Sequence, residues 1–376
     1  MFIWTKFACP LFAVAMVPAL LLGQSPVEPK IEFGGDSPIE VVSSHWGESK
    51  STPRGGAMVI DLKSALVVRN RQPRKIRAVT LVVLAQDATP GGKGSIAIAS
   101  LNAGPGETFP IKIDMRLLRP LDSSNGPLVR VKIDGILFDD MSFYGENRLN
   151  SLRSMTMWEM EARRDRKYFK SVLEARGPEG LNDEVMASIA REKQRPKVDV
   201  QFARGTVAMP ASVLGESRQV QFSFLRFPDA PVELMEGSAK VQANEAHLPG
   251  FTVRNNSKSA VRFLDIGWIV KDGDGREFVA GTLPADVTLN PGSMSHVSQR
   301  ASLKFTEAGK PLSIQGMTGF VKHVEYSDGT VWIPNRVPAS DAQLSRAAGQ
   351  SPEEQRLTDL YRRRGIKGLT EELKKF

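Results

Sequence analysis

The two halves of this chain resemble each other, and that self-similarity constrains the fold more than any feature of composition. Val68-Arg69-Asn70 recurs as Val253-Arg254-Asn255, and in both places a basic, apolar strand pattern starts six residues after the Asn. Ile76 to Leu84 then faces Val261 to Ile269 without a gap, and both stretches continue to an aspartate, Asp87 and Asp272. Each copy goes on to a Pro-Gly turn, Pro105-Gly106 and Pro291-Gly292, and to an Asp-Gly pair, Asp134-Gly135 and Asp328-Gly329. A chain of 376 residues also exceeds what one hydrophobic core organises, roughly 250 to 300 residues, so duplication would account for length as well as pattern.

Each copy reads as strands. Val129 to Ile133 alternates, Asp134-Gly135 has the chemistry of a tight hairpin, and Ile136-Leu137-Phe138 returns. Phe320 to Tyr326 likewise runs into Asp328-Gly329 and out through Val331-Trp332-Ile333 to Pro334. Short strands with turn signals every 8 to 12 residues or so suit antiparallel sandwiches. On these residues the chain resembles the immunoglobulin-like and fibronectin type III-like β-sandwiches, over about 39 to 145 and 198 to 338. The resemblance implies a fold and no function, because that superfold serves adhesins, chaperones, enzyme modules and receptors alike.

Between the copies the period turns helical. Thr156 with Glu159 has the spacing of a capping box, Gly177-Pro178 is a stop, and a second helix is expected after Asn182 and before Pro196. Ser351, Pro352 and Glu354 mark the start of a last helix that should end at Gly365, its stripe of Leu357, Leu360 and Tyr361 docking on a sandwich. The expected architecture is mainly β with α additions: a signal peptide (1–23), a linker (24–38), β-sandwich 1 (39–149), a helical connector (150–197), β-sandwich 2 (198–339) and a C-terminal helical tail (340–376).

Export follows from the first residues. Lys6 is the only charge before Glu28, and Phe7 to Gly23 is apolar or small with two prolines, the pattern of a secretory signal; membrane contact is expected only if it is retained. The sole cysteine, Cys9, lies inside it, so the exported chain would hold neither disulfides nor Cys-ligated metal. The net charge of +8 is spread thinly, with residues 198–339 carrying 14 basic and 14 acidic groups, and this argues against nucleic acid as a partner.

Motifs for chemistry are missing. Gly91-Gly92-Lys93-Gly94-Ser95 lacks the spacing of a phosphate loop and reads as a hairpin loop, and Asp272-Gly273-Asp274-Gly275 lacks the ligand positions of a calcium loop and reads as a turn. His45, His247, His296 and His323 are far apart in sequence. No catalytic, metal-ligating or cofactor-binding residue is therefore assigned, and no cofactor is expected. The densest charge, Arg69, Arg71, Arg74, Lys75 and Arg77 around Pro73, could meet an anionic envelope component or an acidic protein. Asp165 falls on the apolar arc of the first helix with Trp158, Ala162, Phe169, Val172 and Leu173, and its i±3 and i±4 neighbours offer no cation, so it should be a structural anchor completed from elsewhere. The expected function is an exported, non-enzymatic binding or scaffolding protein of the cell envelope; the alternative is a secreted hydrolase with a site between the sandwiches. N-terminal sequencing of the exported protein should find a start after Gly23 or Ala19, and recovery of Met1 would make the segment an anchor.

Overall fold

The computed structural model describes residues 25–27, 29–86, 91–121, 128–196, 198–204, 217–298, 301–336 and 341–376. The signal segment, Cys9 and Asp87 lie outside them. In chain order the first half carries β1 (Ser25–Pro26), β2 (Lys30–Glu32), β3 (Ile39–His45), β4 (Lys50–Arg54), β5 (Ala57–Asn70), β6 (Ile76–Leu84), β7 (Lys93–Ile98), β8 (Thr108–Pro120), β9 (Arg130–Phe138), β10 (Phe143–Tyr144) and then α1 (Ser151–Lys193). The second half carries β11 (Asp199–Arg204), β12 (Arg218–Phe224), β13 (Val232–Gln242), β14 (Glu245–Asn255), β15 (Val261–Asp272), β16 (Glu277–Leu289), β17 (Met294–Ser298), β18 (Ala301–Glu307), β19 (Lys310–Pro311), β20 (Ile314–Tyr326) and β21 (Val331–Trp332), then α2 (Ala342–Ala348) and α3 (Pro352–Leu373). The fold is mainly β with α additions.

Two compact units result: one from the residues up to Gln72 with Leu81–Ile96 and Pro105–Ile133, the other from Pro73–Thr80, Ala97–Gly104 and Asp134–Phe376. The division runs through β6 and β9 rather than at residue 149, because Ala78 and Leu137 near the ends of these strands pack with Met155 of α1. In the first unit β8 pairs antiparallel with β5 from Ala57↔Pro120 to Arg69↔Thr108. Alternation along β8 buries Phe109, Ile111, Ile113 and Leu117 and leaves the polar residues between them outside. The expected linker over 24–38 is instead built in: β1 pairs with β4, and β2 adds in parallel to β9 at Lys30↔Arg130.

In the second unit eleven strands form one continuous sheet. β12 makes this possible by pairing antiparallel with β13 through Arg218–Gln221 and then in parallel with β20 through Phe222–Phe224. The two arms enclose a core centred on Trp268, whose ring meets Phe222 edge-on at 4.7 Å and Phe251 at 6.4 Å.

The two halves repeat the same hydrogen bonds. Asn70 N–H donates to Glu107 O at 3.0 Å and its carbonyl accepts from Gly106 N at 2.9 Å; Asn255 N–H donates to Ser293 O at 2.9 Å and its carbonyl accepts from Gly292 N at 2.9 Å. Both asparagines are buried, and their Oδ1 atoms accept from the backbone two residues on, Gln72 and Ser257, each at 2.9 Å. Pro38 O receives Arg71 N as Pro231 O receives Asn256 N, both at 2.8 Å. β3 breaks register on β5 between Val41 and Ser43, and β13 breaks register on β14 between Leu234 and Glu236.

One expected turn is misplaced. Asp134-Gly135 lies inside β9, and the turn that matches Asp328-Gly329 is at Asp139–Met141: Met141 N donates to Phe138 O as Gly329 N donates to Tyr326 O. Asp140 Oδ1 accepts from Ser142 N at 3.0 Å, and Asp328 Oδ1 from Thr330 N at 2.9 Å. Glycine at 135 answers a close approach, since a Cβ there would sit 2.6 Å from the Phe143 ring.

The helices also differ from expectation. α1 starts at Ser151, not at Thr156, because side-chain oxygens take amides on either side of that start: Asp134 Oδ1 accepts from Arg148 N at 2.9 Å, and Asn147 Oδ1 from Leu152 N at 2.9 Å. Glu159 turns away from any capping box to Arg163 and Arg166, at 2.9 and 2.8 Å. Gly177 and Gly365 kink the helices rather than end them, with φ 68, ψ −171 and φ 64, ψ −169. Pro178 needs no N–H as the first residue after its kink, so the helix resumes there and not after Asn182. Leu357 packs with Phe169, Val172, Leu181 and Val185, so the stripe of α3 docks on α1 and not on a sandwich.

α1 is tied to the second sandwich by a buried triad. His323 of β20 stands 3.2 Å from Glu161 of α1 and 3.3 Å from Asp265 of β15. Burial opposes charge on both members of the bridge, yet the hydrogen bonds prevail: Asp265 and Glu161 raise the His323 pKa, and His323 lowers that of Glu161. A raised histidine stabilises the fold fully below its unfolded value of about 6.5 and loses that contribution as pH rises through the folded value. A lowered glutamate contributes above about 4.3 and loses its share as pH falls. The stability difference between the native protein and His323→Gln, measured by urea unfolding, should therefore be largest near pH 5 to 6 and shrink towards pH 9. A difference independent of pH would contradict the charged bridge.

Candidate functional site

Carboxylates stand beside several cations of the basic loop of 69 to 77. Arg69 meets Glu40 at 2.9 Å and Arg71 approaches the same carboxylate at 4.0 Å. Arg74 bonds Asp140 at 3.1 Å and lies over the Phe138 ring. Arg77 is buried, bonded to Asn102 at 2.7 Å with Glu159 at 3.9 Å, and burial lowers its pKa. Lys75 is half-buried. Arg69 and Arg71 keep nearly half of their side chains exposed, and pairs as exposed as Arg69–Glu40 are worth only about 0 to 1 kcal/mol.

Asp165 is fully buried on α1. Its carboxylate accepts from Arg164 Nε at 2.9 Å, from Arg336 Nη1 at 3.2 Å and from Ser351 Oγ at 2.5 Å. Ser351 is also the N-cap of α3, its Oγ accepting from Glu354 N at 3.1 Å. Arg336 bonds Glu354 at 2.8 Å, lies 4.0 Å over the Tyr168 ring, and so joins α1 to α3. Ser188 Oγ closes the network on Glu354 at 2.6 Å. Trp158, paired with Asp165 in the sequence reading, is only half-buried and packs beside Ala78, Leu137 and Met155, away from this network.

The network forms one wall of a cavity of about 620 Å³. The end of α1 contributes Arg191, Glu192 and Arg195; α2 and the residue after it contribute Ser345, Arg346 and Gly349; Asn335 and Arg336 come from the segment before α2. Four of its arginines hold a carboxylate at hydrogen-bond distance: Arg164 on Asp165, Arg336 on Glu354, Arg191 on Glu184 at 3.2 Å, and Arg346 on Glu277 at 2.6 Å. Arg195 differs. Its nearest carboxylate, Glu192, is 3.7 Å away, and its Nε has no hydrogen-bond partner among the described residues. Sequence reasoning missed this site because its walls come from the end of α1, a short helix and an irregular segment, none of which carries a motif.

Among the described residues that line the cavity, the hydroxyls of Ser188 and Ser345 have no histidine beside them, and Ser188 donates to the Glu354 carboxylate at 2.6 Å. Among the described residues no three His, Cys, Asp or Glu side chains gather as a metal site would require. The walls present guanidinium groups, carboxylates, amides, hydroxyls and one tyrosine ring.

No family model matches this chain, and no curated protein matches it. Among solved structures, a putative ApaA protein from Bordetella pertussis is 15% identical, covering 38% of this chain and 92% of its own, with a TM-score of 0.17. A cross-linked bacterial adhesin from Mobiluncus mulieris is 7% identical over 75% of this chain and 97% of its own, also at 0.17. A β-glucosidase from Kluyveromyces marxianus is 9% identical over 71% of this chain and 45% of its own, at 0.15. Scores this low carry no argument about fold or function.

Asp165→Ala would strand Arg164 and Arg336 in a buried setting, and removing one partner of a buried ion pair costs about 3 to 5 kcal/mol. Urea denaturation at neutral pH should register a loss of that order; an unchanged midpoint would show that the carboxylate anchors nothing.

Proposed function

We propose that this chain is an exported, non-enzymatic binding protein of the cell envelope, built from two copies of a module in which an immunoglobulin-like β-sandwich is followed by a kinked helix. The single observation that carries the binding role is the cavity beside α1 and α3: concave, walled by fixed donors and acceptors, and with no histidine beside its hydroxyls among the described residues. Pockets with these attributes hold ligands by shape and hydrogen bonding.

Support for the module comes from the paired asparagines and from the helices themselves. Arg176-Gly177-Pro178-Glu179-Gly180-Leu181 of α1 and Arg364-Gly365-Ile366-Lys367-Gly368-Leu369 of α3 share Arg-Gly-x-x-Gly-Leu, with the kink at the same glycine and both leucines buried in one core. Support for the immunoglobulin-like reading comes from the parallel strands that β2 and β12 add to β9 and β20. Support for export is the N-terminal signal pattern and the absence of any cysteine after Cys9.

The test is to incubate the purified chain with a small-molecule envelope extract, separate bound from free by ultrafiltration, and follow both fractions by mass spectrometry. A compound retained unchanged in stoichiometric amount is the expected result. Consumption of a compound with appearance of its hydrolysis product would show a hydrolase instead.

A further inference from the structure

The binding reading leaves the ligand's chemistry open, and the cavity wall narrows it. Of the five arginines there, four are satisfied by carboxylates within 3.2 Å. Arg195 is shielded to nearly the same degree as Arg336, with 17% against 16% of its side chain exposed, yet among the described residues it has only a carbonyl contact to Ala347 at 3.5 Å and Glu192 at 3.7 Å. We infer that the cavity takes a small molecule carrying one oxyanion, a carboxylate or a phosphate, and that Arg195 is the group on which that oxyanion docks. The inference rests on the cavity being a binding site and names what that site selects.

Three observations support it. Arg195 lines the cavity and, alone among the arginines there, has no carboxylate of the described residues at hydrogen-bond distance; a shielded guanidinium without a close acceptor is costly, and its charge suits an oxyanion. Burial lowers the Arg195 pKa, and Glu192 opposes that shift without cancelling it. The third observation is geometric. Gly349 ends α2 with φ 62, and a Cβ there would fall 1.8 Å from Arg195 Nη1, so the guanidinium occupies space that only glycine leaves open.

The remaining lining limits the ligand further. Glu184, Glu192 and Glu354 share the cavity, and they would repel a second negative group. The fit is therefore to a monoanion whose other polar groups are neutral or cationic, as in an acylated amino acid or the end of a peptide, and against polyanions such as nucleic acid.

Calorimetric titration of the full chain with N-acetylglycine and, separately, with inorganic phosphate tests this at constant ionic strength. Saturable binding of either probe is expected; the probe that binds identifies the oxyanion. Arg195→Gln should weaken that binding about ten- to a hundredfold, and Arg195→Lys, which keeps the charge and loses the fork, should recover only part of it. Ligand-free melting of both variants controls for folding. Equal affinity in the native chain and a folded Arg195→Gln, or no saturation with either probe, would overturn the inference. The extract experiment, repeated with Arg195→Gln, separates the two levels: a neutral compound retained by both proteins keeps the binding reading and overturns the oxyanion. Nothing retained by the native chain overturns the binding reading itself.

Discussion

A buried carboxylate in search of cations organises the helical part of this protein. Asp165 has no oppositely charged neighbour one turn away on α1, and an uncompensated carboxylate there would cost more than the surrounding apolar contacts return. It is satisfied by the residue beside it, Arg164, and by two groups far along the chain, Arg336 and Ser351. Ser351 is also the cap of α3, so the requirement of one side chain sets where that helix begins and which face it turns to α1. The apolar contacts of Phe169, Leu357 and Leu369 then follow, and the same polar groups become a wall of the cavity.

The position of Asp165 was legible because helical periodicity places it among apolar residues without reference to anything distant. Its partners were not, since Arg336 and Ser351 are joined to it only by tertiary structure. The capping box at Thr156 and Glu159 failed for a related reason: the side chains of Asp134 and Asn147 serve the amides near the start of the helix, which frees Glu159 for arginines. Local patterns predict local outcomes only when no distant group makes a better offer.

The Asp-Gly pair at 134 shows the same limit in a strand. Gly135 is glycine because the Phe143 ring lies where a side chain would be, and a turn signal and a close-approach signal look alike in sequence. The Asp140 turn, lacking glycine, went unnoticed although its hydrogen bonds match those of the Asp328 turn. The Arg-Gly-x-x-Gly-Leu match between α1 and α3 was visible throughout. Treating one helix as a connector and the other as a tail hid it. The basic loop was easy to find and the carboxylates beside it were not, because Glu40, Asp140 and Glu159 come from three separate segments.

The central claim is that Asp165 and Arg336 act as a unit, and a double-mutant cycle measures that directly. Urea unfolding of Asp165→Ala, Arg336→Ala and the double variant isolates their coupling from their separate roles. The account predicts a coupling well above the 0 to 1 kcal/mol or so of surface pairs, with the double variant less destabilised than the sum of the singles. Additivity within about 0.5 kcal/mol would contradict it.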